Sequence, residues 1–552
     1  MKFSDLLNKE VNYNNVIISK EGYKISNIIA TTYSLDLSLI AVLTVLANDN
    51  KQFSNMEFAL KSCLVEQNLW IFYQYNKVQA REFQANYRGA LGHFFDKFCI
   101  GIKPKDMIEP KDIMPCFHPK ILIIEYVSTG EEKYLYRLAV GSRNLTQSNM
   151  FETIAIFETK IFSESRFSKI NFSVAKSERE FPETLYSFLN SGEFKPINNS
   201  CFINCEIIFV YNNNLKIYEK MKLDTAKSII AVSPGFEKNP ITRMENDKAK
   251  FYYKQGSHAK MYFIERETEL ELWIGSANCT ALGLGDKEAF NSECMVKLSL
   301  NSQNASVNDF VAWLKFNGFE KVEVEQHQYD SDDQTRELDK VISKIIPIKA
   351  ILEKEAKGYK ITFKTENKNK RNIIFSDIGD IEIYLFGKEE KKAYSIKDIL
   401  SDGLMFDELK LTEVLPILVF KATKFKATEG ERAVSCIIKA EIIENKNVLE
   451  KAYKGILNKL FNNPPLVPDS PDEKTTNIYI NRNGSTSSEY KKTSSVKHGE
   501  YEKLIRYYEK GEDVRGLLEF LEKNKEIFGV NNEKYIVVIG WLKELCKDGD
   551  NG

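Results

Sequence analysis

The feature that most constrains this chain is a composite motif that occurs twice. A His-x-Lys triplet at residues 118–120 is followed by an apolar run, a polar turn and a second apolar run that ends in Gly-Ser-Arg-Asn at residues 141–144. The triplet at residues 258–260 begins the same arrangement, which ends in Gly-Ser-Ala-Asn at residues 275–278. Since the 552 residues contain only 5 histidines, chance is a poor explanation for the pairing. The repeat predicts two related half-domains.

Each copy of the motif has the pattern of a strand, a turn and a returning strand. Side chains two residues apart on a strand point the same way, so each His shares a face with its Lys, and each Ser shares a face with its Asn. An imidazole, an ammonium, a hydroxyl and a carboxamide around one point suit a tetrahedral phosphate. The eight residues concerned are His118, Lys120, Ser142, Asn144, His258, Lys260, Ser276 and Asn278.

Two further acidic pairs accompany the repeat. Glu152 and Glu293 each follow one of the two motif asparagines, and a carboxylate on the far ring nitrogen would fix the tautomer of an imidazole. Glu125 and Glu265 stand five residues after the two lysines, where ion pairing at a strand end is favoured over a direct part in catalysis. The sequence therefore predicts Glu152 and Glu293 as supporting residues.

His-x-Lys followed by Gly-Ser-x-Asn, twice in one chain, resembles the phospholipase D superfamily over roughly residues 20–320. In that superfamily the third signature residue is usually an Asp five positions after the Lys, whereas this chain has Glu125 and Glu265. The chain is also similar to tyrosyl-DNA phosphodiesterases, whose His-Lys motifs lack that Asp and depend on a downstream Asn. The resemblance implies a phosphodiesterase, although not the details of the lipid-hydrolysing members.

The resemblance also implies a mechanism. Superfamily members form a phosphohistidine intermediate and need no metal or other cofactor, so none is expected here. Carried over, His118 would be the nucleophile and His258 the acid, and the pseudo-symmetry of the site leaves the reverse assignment open. The groups that would hold phosphate oxygens are Lys120, Lys260, Asn144 and Asn278, with Ser142 and Ser276 in support.

The organisation of the chain predicts an α/β fold with further units. The first 320 or so residues alternate between strand and helix patterns, and strand-like runs follow a predicted helix that reaches Ala356. Pro, Ser, Thr and Asn then concentrate before a final stretch with helical spacing. The predicted units are two phospholipase D-like half-domains with mixed sheets flanked by helices (1–200 and 201–330), a β-rich accessory domain (331–461), a flexible linker (462–499) and a helical tail module (500–552).

Composition argues against a global attraction to polyanions. The 77 basic residues almost cancel the 78 acidic ones, so any anion-binding surface must be local. The 9 cysteines are scattered without zinc-finger spacing, which favours a reducing interior. The N-terminus lacks a signal-peptide pattern, and the longest apolar stretch, residues 35–47, is too short to span a bilayer. A cytoplasmic protein without a membrane span is expected.

The favoured function is a metal-independent nuclease or DNA-processing phosphodiesterase. The expected partner is nucleic acid, with DNA favoured, and the Lys- and Asn-rich composition suggests bacterial antiphage defence. Two alternatives stay open: a phospholipid-hydrolysing enzyme, and a non-catalytic phosphate-binding subunit of a larger complex. The helical tail is a candidate docking element for a protein partner, and the sequence leaves the oligomeric state open.

Overall fold

The computed structural model is a mixed α/β protein in which several mixed sheets accompany few helices in the described part of the chain. The predicted linker at 462–499 lies outside the described residues, and of the predicted helical tail only Glu522 and Lys543 are described. The described residues are 16–17, 20–37, 40, 43, 69–79, 92, 95–96, 98–102, 116–145, 151–169, 180–191, 193–197, 202–211, 214–244, 248–287, 290–301, 305–324, 338, 341–342, 345–365, 381–388, 393–401, 403–410, 413–422, 434–445, 448, 522 and 543.

The first sheet is built from apolar runs rich in β-branched and aromatic residues, which favour extended backbone. The strands up to residue 196 are β1 (Tyr23–Thr32), β2 (Leu35–Asp36), β3 (Leu69–Gln74), β4 (Val78–Gln79), β5 (Cys99–Ile102), β6 (Ile121–Ser128), β7 (Tyr134–Gly141), β8 (Ile154–Glu158) and β9 (Lys195–Pro196). Their order in the sheet is β5-β3-β1-β6-β7-β8-β9, while β2 and β4 pair separately. β1 is parallel to β3 and antiparallel to β6.

The second sheet has a similar composition. Its strands are β10 (Phe202–Val210), β11 (Ser228–Val232), β12 (Ala249–Tyr253), β13 (Met261–Glu265), β14 (Glu269–Gly275), β15 (Glu293–Asn301) and β16 (Glu320–Val322). The order is β10-β15-β14-β13-β11-β12-β16. β11 is parallel to β12 and antiparallel to β13, so the run β12-β11-β13-β14-β15 has the order and strand directions of β3-β1-β6-β7-β8.

Both copies of the motif occupy equivalent hairpins in these sheets. β6 and β7 form the first antiparallel hairpin, and β13 and β14 form the second. Each His-x-Lys triplet immediately precedes the first strand of its hairpin, and each Gly-Ser-x-Asn segment begins at the last residue of the second strand. The hairpins predicted from the sequence are therefore present.

A shared apolar core lies between the two sheets. Ile123 and Tyr136 from the first sheet belong to the same buried cluster as Met261 and Phe263 from the second. Because alternate residues of a strand face opposite sides, Ile124 belongs to another cluster, on the outer face of the first sheet. Strands buried on both faces read as continuous apolar runs, which explains why β6 lacks the alternation of a half-exposed strand.

Two helices close this shared core. In the helix Glu180–Ser191, Phe181, Leu185 and Phe188 recur at helical spacing and are buried in the shared core. In the helix Val307–Phe316, the Ser306 hydroxyl caps the N-terminus by accepting a hydrogen bond from the backbone N–H of Asp309. The described helices are α1 (Arg166–Lys169), α2 (Glu180–Ser191), α3 (Ile217–Lys220), α4 (Ala281–Leu284), α5 (Val307–Phe316) and α6 (Ile396–Ser401). None of the helices in the described part is long and apolar enough to cross a membrane.

The region after residue 345 is β-rich where it is described. Its strands are β17 (Ile348–Glu355), β18 (Gly358–Thr365), β19 (Ile381–Leu385), β20 (Tyr394–Ser395), β21 (Leu404–Leu409), β22 (Ile417–Ala422), β23 (Val434–Lys439) and β24 (Glu441–Glu444). They form two sheets, in the orders β21-β18-β17-β24 and β20-β19-β22-β23.

The predicted helix up to Ala356 is wrong over β17. Ile348, Ala350 and Leu352 are buried at every second position, which is the period of a strand, and Pro347 disfavours a helix at the residue before it. A predicted strand-like run at residues 373–375 lies outside the described residues.

The β-rich region packs against the outer face of the first sheet. The Tyr75 hydroxyl donates to the backbone oxygen of Lys439 at 3.0 Å, and the Cys436 thiol donates to the backbone oxygen of Asn76 at 2.9 Å. The Lys439 ammonium also lies 3.2 Å from Asp96 Oδ1. These contacts join the β-rich region to the segment between β3 and β4 and to Asp96.

Candidate active site

The glycine of each Gly-Ser-x-Asn segment permits a close approach of two strands. A Cβ atom at Gly275 would overlap the carbonyl oxygen of Cys294, and one at Gly141 would lie 3.0 Å from the carbonyl oxygen of Thr153. Glycine is the residue that allows such an approach without displacing the neighbouring strand. The requirement is therefore structural, and it brings the end of each hairpin against the following strand.

The two motif serines tie the same strands together. Ser142 Oγ accepts the backbone N–H of Thr153 at 2.9 Å, and Ser276 Oγ accepts the backbone N–H of Cys294 at 2.9 Å. Both serines are fully buried. Both serines are thus backbone ties, and Ser276 in addition donates to the Glu293 carboxylate. Their support of a phosphate stays a prediction.

The two halves of the site are joined by backbone hydrogen bonds at the two histidines. The backbone N–H of His118 donates to the Ser292 oxygen at 2.9 Å, and the backbone N–H of His258 donates to the Phe151 oxygen at 2.9 Å. A parallel β-bridge accompanies each of these bonds. Each histidine is thus held opposite the residue that precedes a glutamate of the other half.

The first histidine receives a buried carboxylate from the second half. Glu293, which is fully buried, places its two oxygens 2.9 and 3.0 Å from His118 Nδ1. The same carboxylate accepts from Ser276 and, at 3.1 Å, from Asn291 Nδ2. Burial alone would raise the pKa of the Glu293 carboxyl, but the charges and hydrogen bonds around it lower that pKa. An ionised Glu293 places a proton on Nδ1 of His118 and leaves the lone pair on Nε2.

The two motif lysines are held in the same way. Lys120 Nζ donates to the backbone oxygen of His118 at 2.9 Å, and Lys260 Nζ donates to that of His258 at 2.8 Å. Both side chains are buried, and burial lowers the pKa of Lys120 well below its usual value and that of Lys260 to about 8. An ammonium has three N–H donors, so each lysine retains donors beyond this bond.

The histidines and lysines of the two halves form one electrostatic group. Burial is the largest cause that lowers the pKa of each imidazole, to about 4. The charge of Lys260 further lowers the pKa of His118, and that of Lys120 further lowers the pKa of His258. Both imidazoles are therefore neutral near pH 7, beside two buried amino groups whose own pKa values are lowered by burial.

The two motif asparagines differ in their contacts. Asn144 Oδ1 accepts a long bond, 3.4 Å, from the backbone N–H of Ser34. Asn278 Oδ1 is buried and has no hydrogen-bond partner among the residues that the structure describes. An unpaired buried polar atom costs on the order of 1–3 kcal/mol, so Asn278 Oδ1 is a candidate for a ligand contact.

Glu152 does not orient the second imidazole, contrary to the prediction from sequence. Its Oε2 atom lies 3.4 Å from Arg143 Nε and has no hydrogen-bond partner within the described residues. Arg143 fills the variable position of the first Gly-Ser-x-Asn segment, where the second half has Ala277. Burial raises the pKa of Glu152 to about 7, against the opposing charges of Arg143 and the two motif lysines.

The glutamates five residues after the lysines make hydrogen bonds within the fold. Glu125 is fully buried and accepts from the Tyr136 hydroxyl at 2.6 Å and from Asn27 Nδ2 at 2.5 Å. Glu265 accepts from the Ser228 hydroxyl at 2.8 Å. In place of the predicted strand-end ion pairs, the described residues show bonds from neutral groups to both carboxylates.

Sequence reasoning missed two residues beside the first half-site. The Tyr33 ring lies edge-on to the His118 ring, with 5.2 Å between centroids, and Lys77 Nζ lies 5.6 Å from the Tyr33 ring centroid. Tyr33 directly follows β1, the strand next to the one that begins after Lys120. The pairing of β1 with β6 was the signal that could have indicated Tyr33, since a residue at the end of a strand next to β6 lies beside the motif.

Within the described ranges, no group of three or more His, Cys, Asp or Glu side chains could hold a metal ion.

The chain resembles three kinds of solved structure. Yeast tyrosyl-DNA phosphodiesterase is 12% identical, with 54% of this chain and 87% of that chain covered, at a TM-score of 0.30. Polyphosphate kinase from Porphyromonas gingivalis is 11% identical (59% and 50% covered, TM-score 0.29), and phosphatidylserine synthase from Haemophilus influenzae is 8% identical (59% and 94% covered, TM-score 0.29). All three are phospholipase D superfamily members.

No protein-family model matches the chain, and no curated protein does.

The lysine pKa values predict how catalysis depends on pH. We expect kcat/KM to fall as pH rises through about 8, because Lys260 loses its proton there and with it the charge that stabilises a phosphate. A pH–rate profile on a small phosphodiester checks this, and Lys260→Arg should move the alkaline limb upward because a guanidinium stays charged. An alkaline limb that is identical in Lys260→Arg and in the parent protein would contradict the assignment.

Proposed function

We propose that the chain is a metal-independent phosphodiesterase that acts on nucleic acid through a covalent phosphohistidine. The observation that carries this proposal is the His118–Glu293 pair, in which a buried carboxylate of one half contacts Nδ1 of an imidazole of the other. An ionised carboxylate in that place favours the tautomer with Nε2 unprotonated. Lys120, Lys260 and the second histidine complete the set that phosphoryl transfer requires. Asn144 and Asn278 are proposed to hold phosphate oxygens with the lysines.

In the first step His118 Nε2 attacks the phosphorus, a P–N bond forms, and the P–O bond to the leaving group breaks. The departing oxygen takes a proton from His258. A bound phosphodiester anion raises the pKa of His258 toward the value at which it can supply that proton, because an opposite charge favours the imidazolium. Lys120 and Lys260 offset the charge on the non-bridging oxygens.

In the second step water attacks the same phosphorus and gives its proton to His258. The P–N bond breaks, which restores neutral His118 and releases a phosphomonoester. Glu293 stays ionised throughout, since its part is to hold the Nδ1 proton and stabilise the cationic ring that forms when Nε2 bonds to phosphorus. The proton that His258 gives to the departing oxygen is replaced by one from the attacking water, so the cycle regenerates both histidines.

Nucleic acid is the proposed substrate class because of the Tyr33 and Lys77 side chains. Tyr33 lies beside His118, Lys77 lies next to the Tyr33 ring, and both are partly exposed, which suits a base that stacks and a phosphate one unit along the strand. Among nucleic acids we favour DNA. A part in bacterial antiphage defence is proposed on the Lys- and Asn-rich composition alone.

We also propose that the first 330 residues are two half-domains that arose by duplication, divided near residue 200. The matching strand orders and the equivalent places of the two hairpins support this. The β-rich accessory domain at 331–461, the linker at 462–499 and the tail module at 500–552 complete the proposed division.

The test is a substrate panel with the purified full chain. Labelled single- and double-stranded DNA, RNA and phospholipid vesicles are incubated in excess EDTA, beside His118→Ala protein purified identically to control for contaminating nucleases. We expect cleavage of nucleic acid that chelator does not abolish, because the site supplies its own cations. Cleavage of phospholipid alone would favour the lipid-hydrolysing alternative. Phosphate binding without any turnover would favour the non-catalytic subunit.

A further inference from the structure

The two half-sites match in the backbone bonds described above, and one of the differences between them lies at a carboxylate. Glu293 follows Ser292, which binds the backbone of His118, and Glu152 follows Phe151, which binds the backbone of His258. The register therefore gives Glu152 the same approach to its histidine that Glu293 has. Only Glu293 contacts its histidine in this way, whereas Glu152 forms an ion pair with a guanidinium.

The guanidinium in question belongs to Arg143. Its Nε atom lies 3.4 Å from Glu152 Oε2, and its side chain is 31% exposed, against 12% for Glu152. In the second half the equivalent residue is Ala277, which is fully buried and carries no charge, so nothing at that position draws Glu293 from His118. The difference between an arginine and an alanine thus coincides with the difference between the two carboxylates.

The charges around the second histidine agree with this account. The groups that shift the pKa of His258 beyond burial are Lys260, Lys120 and His118, and all of them lower it. For His118, by contrast, Glu293 raises the pKa and partly offsets burial. Glu152 in turn faces Arg143, Lys260 and Lys120.

We propose that Arg143 is a positioning residue that holds Glu152 away from Nδ1 of His258 and so keeps the two half-sites chemically unequal. The proposal deepens the proposed function and rests on it for its catalytic meaning. When Glu152 is held away, no carboxylate of the described residues contacts His258 Nδ1 to keep the ring protonated. His258 then gains its proton only when an anionic substrate binds. It can then act as the acid in the first step and as the base in the second.

The experiment follows the titration of individual imidazoles by NMR in full-length protein labelled at histidine Cε1, with peaks assigned from single histidine variants. In Arg143→Ala we expect Glu152 to turn to His258 and raise its pKa by about one unit or more, as an ion pair at such a distance does. The His118 resonance should hardly move. Arg143→Lys should keep the parent titration, and Arg143→Ala with Glu152→Gln should return His258 to its parent pKa.

A matched control is Arg243→Ala, which removes an exposed arginine 2.7 Å from Asp286 in the second half. It should leave both titrations unchanged. The proposal is overturned if the His258 titration in Arg143→Ala equals the parent, with melting temperature confirming the fold, or if the double variant shows the same rise. The NMR titration tests the role of Arg143 even if no substrate in the panel is cleaved. Absence of cleavage would refute the proposed function and not the role of Arg143.

Discussion

Replacing either His118 or His258 with alanine is expected to lower turnover of a nucleic-acid substrate by about four orders of magnitude or more, since residues that act as one catalytic unit are lost together. The first variant removes the atom that bonds to phosphorus, and the second removes the proton donor. Single-turnover rates against the parent protein measure the effect. Near-normal rates in either variant would place the chemistry elsewhere.

The two variants should differ with an activated substrate. An aryl phosphodiester has a leaving group that departs without a proton, so His258→Ala should still complete the first step and then stall. A labelled adduct that is lost in acid and survives alkali is expected on that variant and not on His118→Ala. The reverse pattern would exchange the two roles. Absence of adduct from all forms, on a diester that the parent cleaves, would exclude covalent catalysis.

Glu293→Gln should lower kcat by about 10²–10⁴, the range in which a carboxamide in place of a carboxylate allows the wrong imidazole tautomer. A Gln side chain can present its NH₂ group to Nδ1, which would move the ring proton to Nε2 and remove the nucleophilic lone pair. Steady-state kcat on a short oligonucleotide checks this, with circular dichroism to confirm the fold.

The matched control for that change is Glu265→Gln, a carboxylate-to-amide substitution on β13 whose carboxylate bonds to Ser228. We expect it to keep kcat within a few-fold of the parent, since an amide oxygen can accept the same hydroxyl. Equal losses in the two variants would mean that Glu293 contributes to the fold and not to the chemistry.

The hairpins were predictable because their information is local. Two apolar runs around a polar turn specify β6–β7 and β13–β14, although each His-x-Lys triplet lies just before its strand and not within it. The pairing of His118 with Glu293 was not predictable in detail, because it depends on how two sheets meet across 175 residues of sequence. Sequence spacing suggested a carboxylate for each imidazole without saying which half would supply it.

Other failures have equally specific causes. Glu152 was expected beside an imidazole because its position after the motif resembles that of Glu293. The ion pair between Glu152 and Arg143 forms only in the folded protein, so sequence spacing did not indicate it. At β17 the run of helix-favouring Lys and Glu residues outweighed the alternation of Ile348, Ala350 and Leu352 in the sequence pattern. Burial of the alternate residues decided the conformation, as tertiary context often does.

The packing of the β-rich region on the first sheet bears on where this protein can be cut. Leu415 and Ile417 belong to the apolar cluster on the outer face of that sheet, and each such side chain is worth roughly 1.5–3 kcal/mol when removed from water. A fragment that ended near residue 330 would expose this cluster and lose the bonds that Lys439 and Cys436 make to the segment leading to Lys77. We therefore expect the smallest fragment that keeps the fold of both half-sites to extend well beyond residue 330.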